Sequence, residues 1–197
     1  MSHSFDLHAD GDPPADPMDV ARSWLPADDD PDRPQVVLST VGTDGCPDAR
    51  TVLLSAFDGT GFAFHTARTS RKVEQLAAVP SAAMTVLWPG FTRQLVLRGA
   101  VVPDGAEARA WAARSEHLRR LAWLNTHELA ALDLAGRRAG WAADVPVDAG
   151  SAPAPSWVGY RLQPVELTFW AGGTDTASRR LRYTRQDDGW RWEHLAG

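Results

Sequence analysis

The sequence predicts a mainly β protein with added α-helices, folded as an antiparallel barrel. Two observations carry this. Runs of β-forming residues follow one another in hairpin order across Thr43-Asp44-Gly45, Asp58-Gly59-Thr60-Gly61 and Asp187-Asp188-Gly189, all turn-forming stretches. Helical segments are inserted between these runs rather than alternating with them, which argues against a parallel α/β sheet.

Taken in order, residues 1–15 are rich in Asp, Pro and Gly and are expected to be disordered or loosely held. Residues 16–197 are expected to form one domain, since a chain of 197 residues is near the upper end of what one core serves. Asp16-Pro17 offers an N-cap followed by proline at the first helical position, opening a short helix through about Leu25. Ala27 to Pro34 reads as an acidic, Pro-bounded loop. Gln35–Val41, Ala49–Phe57 and Phe62–Thr66 read as strands, the last with Phe62 and Phe64 on one face. A helix capped by Ser70 runs to about Ala78 and stops before Pro80. Ala82–Trp88 and Arg93–Val102 are two further strands, broken by Pro89-Gly90. Helical spacing returns from Asp104 to about Arg138, with breaks near Ser115 and Asn125. Residues 140–156, rich in Ala, Pro and Asp, read as a flexible loop. Trp157–Trp170 is a long strand, and Leu181–Arg185 with Trp190–Leu195 form a closing hairpin.

Composition narrows the function. A net charge of -5 disfavours nucleic acid as the main partner, so an anionic ligand has to be caught by a local cluster of Arg and Lys. No apolar run approaches the roughly 20 residues that span a bilayer, and the polar N-terminus resembles no secretory signal. The single cysteine, Cys46, excludes an intrachain disulfide and a Cys-based zinc site. The expected compartment is the cytoplasm. The nine Trp residues read as core and dimer-interface packing. His3 and His8 fall in the N-terminal segment, while His117 and His127 are ten residues apart, so no metal site is expected. No nucleophile-elbow pattern for acyl transfer is present.

The residues that can carry chemistry are scattered. Ser70-Arg71-Lys72 places a capping serine before two cations at a helix N-terminus, where backbone N–H groups and the helix dipole favour a phosphate. The same triplet also reads as a solvated basic turn. Arg50 heads an otherwise apolar strand, and Arg93-Gln94 begins another. Alternation puts Gln94, Val96 and Arg98 on one face and Leu95 and Leu97 on the other. A glutamine starting a buried strand can offer donor and acceptor to a heterocycle edge.

Taken together, Arg50-Thr-Val-Leu-Leu, Gly61-Phe-Ala-Phe-His-Thr66, Ser70-Arg71-Lys72 with Glu74-Gln75-Leu76, Trp88, Arg93-Gln94, Trp157-Val-Gly-Tyr-Arg161 and Phe169-Trp170 with Arg180 form an ordered series. That series resembles the pyridoxamine 5'-phosphate oxidase family, and Arg180-Leu-Arg-Tyr with Gly189-Trp-Arg-Trp192 looks like the family's C-terminal signature. The resemblance implies a six-stranded antiparallel split β-barrel flanked by helices. It also implies a homodimer, with flavin mononucleotide (FMN) in clefts between the subunits. Carried over residue by residue, Arg50, Arg71 and Lys72 bind the FMN phosphate region. Val52 and Leu53 lie along the flavin, and His65 and Thr66 border it. Gln94 addresses the isoalloxazine, and Trp170 and Arg180 close the site. His65 stands where the family usually has Tyr, and the family's Gln-Ser pair falls on His127 and Glu128.

The substrate side departs further. Ser55 replaces the family's substrate Lys. Of the Tyr, Arg and Ser that grip the substrate phosphate, Arg114 survives, with Ala110 and Leu118 at the other positions. Thr176-Ala177-Ser178 stands in place of the family's Arg-Leu-His, which leaves Ser55, Arg114 and Ser178 as candidate substrate contacts. Each lost charge-assisted contact is worth roughly 1.5–3 kcal/mol. Ser55 and Pro17-Met-Asp-Val-Ala-Arg-Ser-Trp-Leu25 also look like the phenazine-biosynthesis flavin oxidases, which act on reduced cyclic precursors. The expected activity is an FMN-dependent oxidase of a CH-NH or CH-CH donor, with oxygen as acceptor. No residue stands out as a general base. The alternatives are a true pyridoxamine 5'-phosphate oxidase of vitamin B6 metabolism, a flavin-binding protein without turnover, and a split-barrel reductase using a deazaflavin.

Overall fold

The computed structural model describes residues 4–27, 30 and 34–197. His3 and much of the acidic stretch between Ala27 and Pro34 lie outside the described residues. In chain order the elements are α1 (Pro17–Trp24), β1 (Gln35–Val41), β2 (Pro47–Asp58), β3 (Gly61–Ala67), α2 (Arg71–Ala78), β4 (Ser81–Leu87) and β5 (Arg93–Asp104). There follow α3 (Glu107–Ala112), α4 (Glu116–Leu124), α5 (His127–Ala130), α6 (Leu134–Trp141), β6 (Trp157–Ala171), β7 (Arg179–Gln186) and β8 (Gly189–Ala196).

The strands form one antiparallel sheet in the order β3-β2-β1-β4-β5-β6-β7-β8, and an extra β3–β6 ladder closes the first six into a barrel. The long strand β6 makes this possible by serving three neighbours. Its first half pairs with β3 (Phe62↔Leu162 to Ala67↔Trp157), most of its length with β5, and its last part with β7. A bulge at Arg98/Gly99 bends β5 where it follows β6. A side chain at Gly99 would come 1.9 Å from the Gln163 carbonyl oxygen, so the bend needs glycine. The β7–β8 hairpin continues the sheet beyond the closed barrel.

Alternation along the strands sends Leu38, Phe62, Phe64, Met84, Leu95, Leu97, Leu162, Leu167 and Phe169 inward, all fully buried. Helix α1 plugs one end of this core. Trp24 meets Trp88 and Phe169 edge-on at ring-centroid distances of 5.6 and 5.3 Å, and Phe169 meets Tyr183 of β7 at 6.0 Å. The Asp16 carboxylate accepts from the Met18 N–H at 2.9 Å. Asp16→Ala is expected to cost about 1 kcal/mol in chemical denaturation, the usual value of such a cap.

The N-terminal segment departs from the expectation. From residue 4 to Pro14 it lies along the barrel as a strap. Leu7 is 2% exposed, within the core. The Phe5 N–H donates to Ser23 Oγ, Trp24 Nε1 donates to the Phe5 carbonyl, and the Tyr183 hydroxyl donates to the Pro14 carbonyl. Arg93 reaches Ser4 Oγ, and Arg179 reaches the Leu7 and Ala9 carbonyls. Two apolar side chains and these backbone partners outweigh a composition that otherwise reads as unstructured.

The helical region also differs in detail. A break at Leu132–Asp133 adds to the two expected, with Asp133 capping Gly136 N–H at 2.7 Å, and α6 runs on to Trp141. The following loop has no regular structure but is tied down. Arg119 donates to the Val147 carbonyl, Trp123 Nε1 to the Pro146 carbonyl, and Trp111 Nε1 to Ser151 Oγ. No helix among the described residues is long and apolar enough to cross a membrane.

Candidate active site

A cleft of about 510 Å³ opens between the barrel and the inserted helices. Its barrel wall is Thr51, Val52 and Leu53 of β2 with His65 and Thr66 of β3. The start of α2 supplies Lys72, and α4 and α5 supply Leu118, Leu121 and His127. Val52, Leu53, His65, Thr66, Lys72 and Arg114 were all expected at the site, and the fold brings them to one cavity. Glu128, in the same short helix as His127, is exposed.

Cations gather at the α2 end. The Lys72 ammonium donates to Thr66 Oγ1 at 3.1 Å and to Ser70 Oγ. Ser70 therefore serves the lysine, and its side chain makes no cap bond to the helix, a departure from the expected cap. Burial first, then the neighbouring Arg50 charge, hold Lys72 below the usual lysine range, while Asp48 partly offsets them. Arg50 is braced from behind: it donates to Thr40 Oγ1 (2.6 Å) and Gln75 Oε1 (2.8 Å) and pairs with Asp48 at 2.8 Å. Gln75 is fully buried and also donates to Asp48. Sequence reasoning missed this Thr40–Asp48–Gln75 brace; its one visible sign was a glutamine on the inward face of α2. Arg71 is largely exposed and lies 3.6 Å from Asp48.

The inner wall is a buried polar cluster. Ser55 Oγ accepts from Arg114 at 2.7 Å and lies 2.9 Å from His65 Nδ1. The His65 ring stacks on Trp157 at 5.2 Å and 16°, and the Arg114 guanidinium sits 5.8 Å from the same indole. Arg119, buried and unforeseen, donates to the Trp111, Ala112 and Arg114 carbonyls and so fixes the α3–α4 corner carrying Arg114. Burial, followed by the Arg114 charge, pushes His65 down to about 4 from an ordinary 6.5. The folded state therefore resists a proton that the unfolded chain takes up. Stability is full above about pH 6.5 and falls toward pH 4, by about 3 kcal/mol at most. In denaturant titrations across that range, His65→Phe is expected to lose this share of the decline relative to the unaltered protein.

The remaining expected residues lie elsewhere on the protomer. Gln94, Trp170 and Arg180 share one cross-strand row, Gln94↔Trp170 on β5–β6 and Trp170↔Arg180 on β6–β7. That row is at the opposite end of β6 from Trp157, a strand contour of roughly 40 Å at the usual rise. Arg180 donates to the Ala196 carbonyl at 3.0 Å, and Trp170 packs on Phe91 at 4.6 Å. Ser178, half-buried, precedes β7 at the same end.

The profile described as pyridoxamine 5'-phosphate oxidase matches residues 19–171. The chain belongs to the pyridoxamine 5'-phosphate oxidase family. A second profile, the pyridoxine 5'-phosphate oxidase C-terminal dimerisation region, matches residues 157–197, which are β6 through β8. The chain is 36% identical to a pyridoxine/pyridoxamine 5'-phosphate oxidase of Caulobacter vibrioides over 91% of its own length and 84% of the relative's. It is 29% identical to a dihydrophenazinedicarboxylate synthase of Burkholderia lata, covering 93% of this chain and 89% of that one. Among solved structures it is similar to PhzG from Burkholderia lata 383 in complex with tetrahydrophenazine-1-carboxylic acid. The TM-score is 0.75 and the identity 27%, covering 94% of this chain and 95% of that one. Relatives of this member of the pyridoxamine 5'-phosphate oxidase family are thus named both as pyridoxine/pyridoxamine 5'-phosphate oxidases and as a dihydrophenazinedicarboxylate synthase, and its barrel is similar to that of PhzG.

Proposed function

We propose that this protein is an FMN-dependent oxidase whose substrate is a reduced, carboxylated ring system rather than a phosphorylated pyridine. The observation that carries the cofactor reading is Lys72. It is a partly buried ammonium at the cleft wall, held by two hydroxyls, destabilised by Arg50, and without a carboxylate in contact among the described residues. A phosphate monoester placed there gains both cations and relieves their mutual repulsion. Arg71 adds a third charge at the exposed rim.

The other residues fit a flavin of which only part lies within one protomer. Val52 and Leu53 offer an apolar wall along the cleft, and His65 and Thr66 its inner border. Gln94, Trp170 and Arg180 are too distant to serve the same cleft. We assign that role to Gln94, Trp170 and Arg180 of the partner subunit in a homodimer, a reading supported by the dimerisation-region match over β6–β8. A bound FMN would supply the hydride acceptor for the substrate and the route of its electrons to oxygen. The chain's own part is orientation, exclusion of water and charge.

Arg114 is the fixed cation of the inner cleft, with Ser55 beside it, and Leu118 and Ala110 are apolar where the family has phosphate-gripping groups. One guanidinium backed by Trp157 suits a carboxylate on a flat ring. Ser178 lies away from this cleft and joins the substrate site only through the partner subunit.

The deciding experiment adds FMN to the purified protein and follows flavin absorbance and oxygen uptake. The expected result is a yellow protein that consumes oxygen with a dihydrophenazine carboxylate and scarcely with pyridoxine 5'-phosphate. A colourless protein unchanged by FMN overturns the cofactor assignment, and rapid turnover of pyridoxine 5'-phosphate overturns the substrate assignment. Flavin binding with no oxygen uptake from either donor supports a carrier instead.

A further inference from the structure

Behind the cleft, His65 of β3, Gly159 of β6 and Asp104 of β5 occupy one row across three strands, in the registers His65↔Gly159 and Asp104↔Gly159. A side chain at position 159 would come 2.7 Å from His65 Nε2 and 2.9 Å from the Asp104 carbonyl oxygen. Glycine there is what lets the imidazole lie across the middle strand toward Asp104. His65 is 7% exposed and Asp104 8%. Each has one buried polar atom without a partner among the described residues, His65 Nε2 and Asp104 Oδ2. Both residues line a second cavity of about 50 Å³, beside Ser55, Asp58, Arg109 and Arg161. A water molecule takes about 30 Å³ in the liquid, so the cavity has room for one, with polar atoms to hold it.

The hydrogen bonds around Ser55 fix the direction of the chain. Arg114 has only donors, so Ser55 Oγ accepts from it. Among the described residues the acceptor in reach of the Ser55 hydroxyl hydrogen is His65 Nδ1, 2.9 Å away. Nδ1 is then unprotonated, and the neutral ring carries its hydrogen on Nε2, the atom on the Asp104 side. Asp104 Oδ1 is occupied by Arg161, at 3.3 Å from Nε and 3.2 Å from NH2, which leaves Oδ2 to accept.

We propose that one ordered water in this cavity links His65 Nε2–H to Asp104 Oδ2, making a relay Asp104–water–His65–Ser55–Arg114 that holds the Arg114 guanidinium in place in the cleft. His65 and Asp104 are positioning residues in this arrangement, acting on Arg114 through the serine. The last link, from Arg114 to a substrate carboxylate, rests on the function proposed above; the relay itself does not.

The test is nitrogen-15 NMR of the full-length protein with labelled histidine at pH 7. The expected result is His65 as the Nε2–H tautomer. In Asp104→Asn the amide keeps its oxygen toward Arg161 and turns an N–H toward the water. The water can still accept from Nε2–H, and Ser55 keeps the tautomer, but the water no longer passes its own hydrogen to a carboxylate. The Nε2–H proton is therefore expected to move upfield and to exchange faster with solvent in the variant. An unaltered protein found with Nδ1–H overturns the proposal without any variant, and so does a folded Asp104→Asn protein whose Nε2–H shift and exchange rate are unchanged. The last link is read separately, by titrating the FMN-loaded protein with phenazine-1-carboxylate and with uncharged phenazine and following tryptophan fluorescence. Asp104→Asn is expected to weaken the carboxylate by about two- to tenfold, the net worth of one hydrogen bond, and to leave phenazine unchanged. Equal weakening of both overturns the link to Arg114. Failure of either probe to bind the unaltered protein defeats the reading of the cleft and that link with it, while the His65 tautomer and its Nε2–H signal decide the relay on their own.

Discussion

Replacing Lys72 by methionine together with Arg71→Ala is expected to weaken FMN binding by roughly 10²–10⁴-fold, since two charge-assisted contacts of about 1.5–3 kcal/mol each are lost. Titration of the apoprotein with FMN, followed by flavin fluorescence, measures it. The same variant is expected to melt no lower than the unaltered apoprotein. Lys72 is held below its ordinary protonation range by burial and by Arg50, so its charge costs the empty fold stability, and the methionine keeps the buried stem. A stabilised apoprotein that has lost its flavin is the signature of a ligand site. A variant that loses both together identifies Lys72 as a structural residue and sinks the phosphate assignment. Arg50 is a poorer choice, because its ties to Thr40, Gln75 and Asp48 brace β1, β2 and α2, and its removal disturbs all of them.

The largest effect on stability is expected at Phe169. Its ring is fully buried between Trp24 of the α1 plug and Tyr183 of the hairpin, so truncation to alanine opens a cavity where three parts of the molecule meet. The loss is expected to be about 3–5 kcal/mol, or a fall in Tm of roughly 10 °C. Thermal melts at one fixed protein concentration measure it, since any dimer makes Tm depend on concentration. A fall under 2 °C would show that the neighbours collapse into the space.

The strands were legible because most show the period-two alternation of a half-buried sheet with turns between them, although β3 is buried through five consecutive residues; β1 matches the expected bounds and the others differ by one to a few residues. The barrel's closure was not legible from local pattern, because β3 meets β6 across residues far apart in the chain; it came from the family resemblance. The strap was misread because its Asp, Pro and Gly outnumber Phe5 and Leu7, and no periodic rule marks two anchors in an irregular segment. At the site, the cations Arg50, Arg71 and Lys72 were visible as residues, but Asp48 as the counter-ion shared by Arg50 and Arg71 was not. Pairing depends on β2 facing α2, a tertiary fact. The partnership of Ser55 with His65 was likewise invisible, although both had been singled out separately as departures from the family pattern.

The triple pairing of β6 bears on how the chain reaches its native state. Phe62 cannot find Leu162, 100 positions further along the chain, until that strand has been made, and the β5 edge waits for the same strand. Contacts this distant in sequence make folding slow, on the scale of milliseconds to seconds. A chain growing on the ribosome carries β1–β5 as an open, apolar-faced sheet until its last fifth emerges. During that interval it is most prone to aggregate, and any truncation before residue 157 makes the exposure permanent.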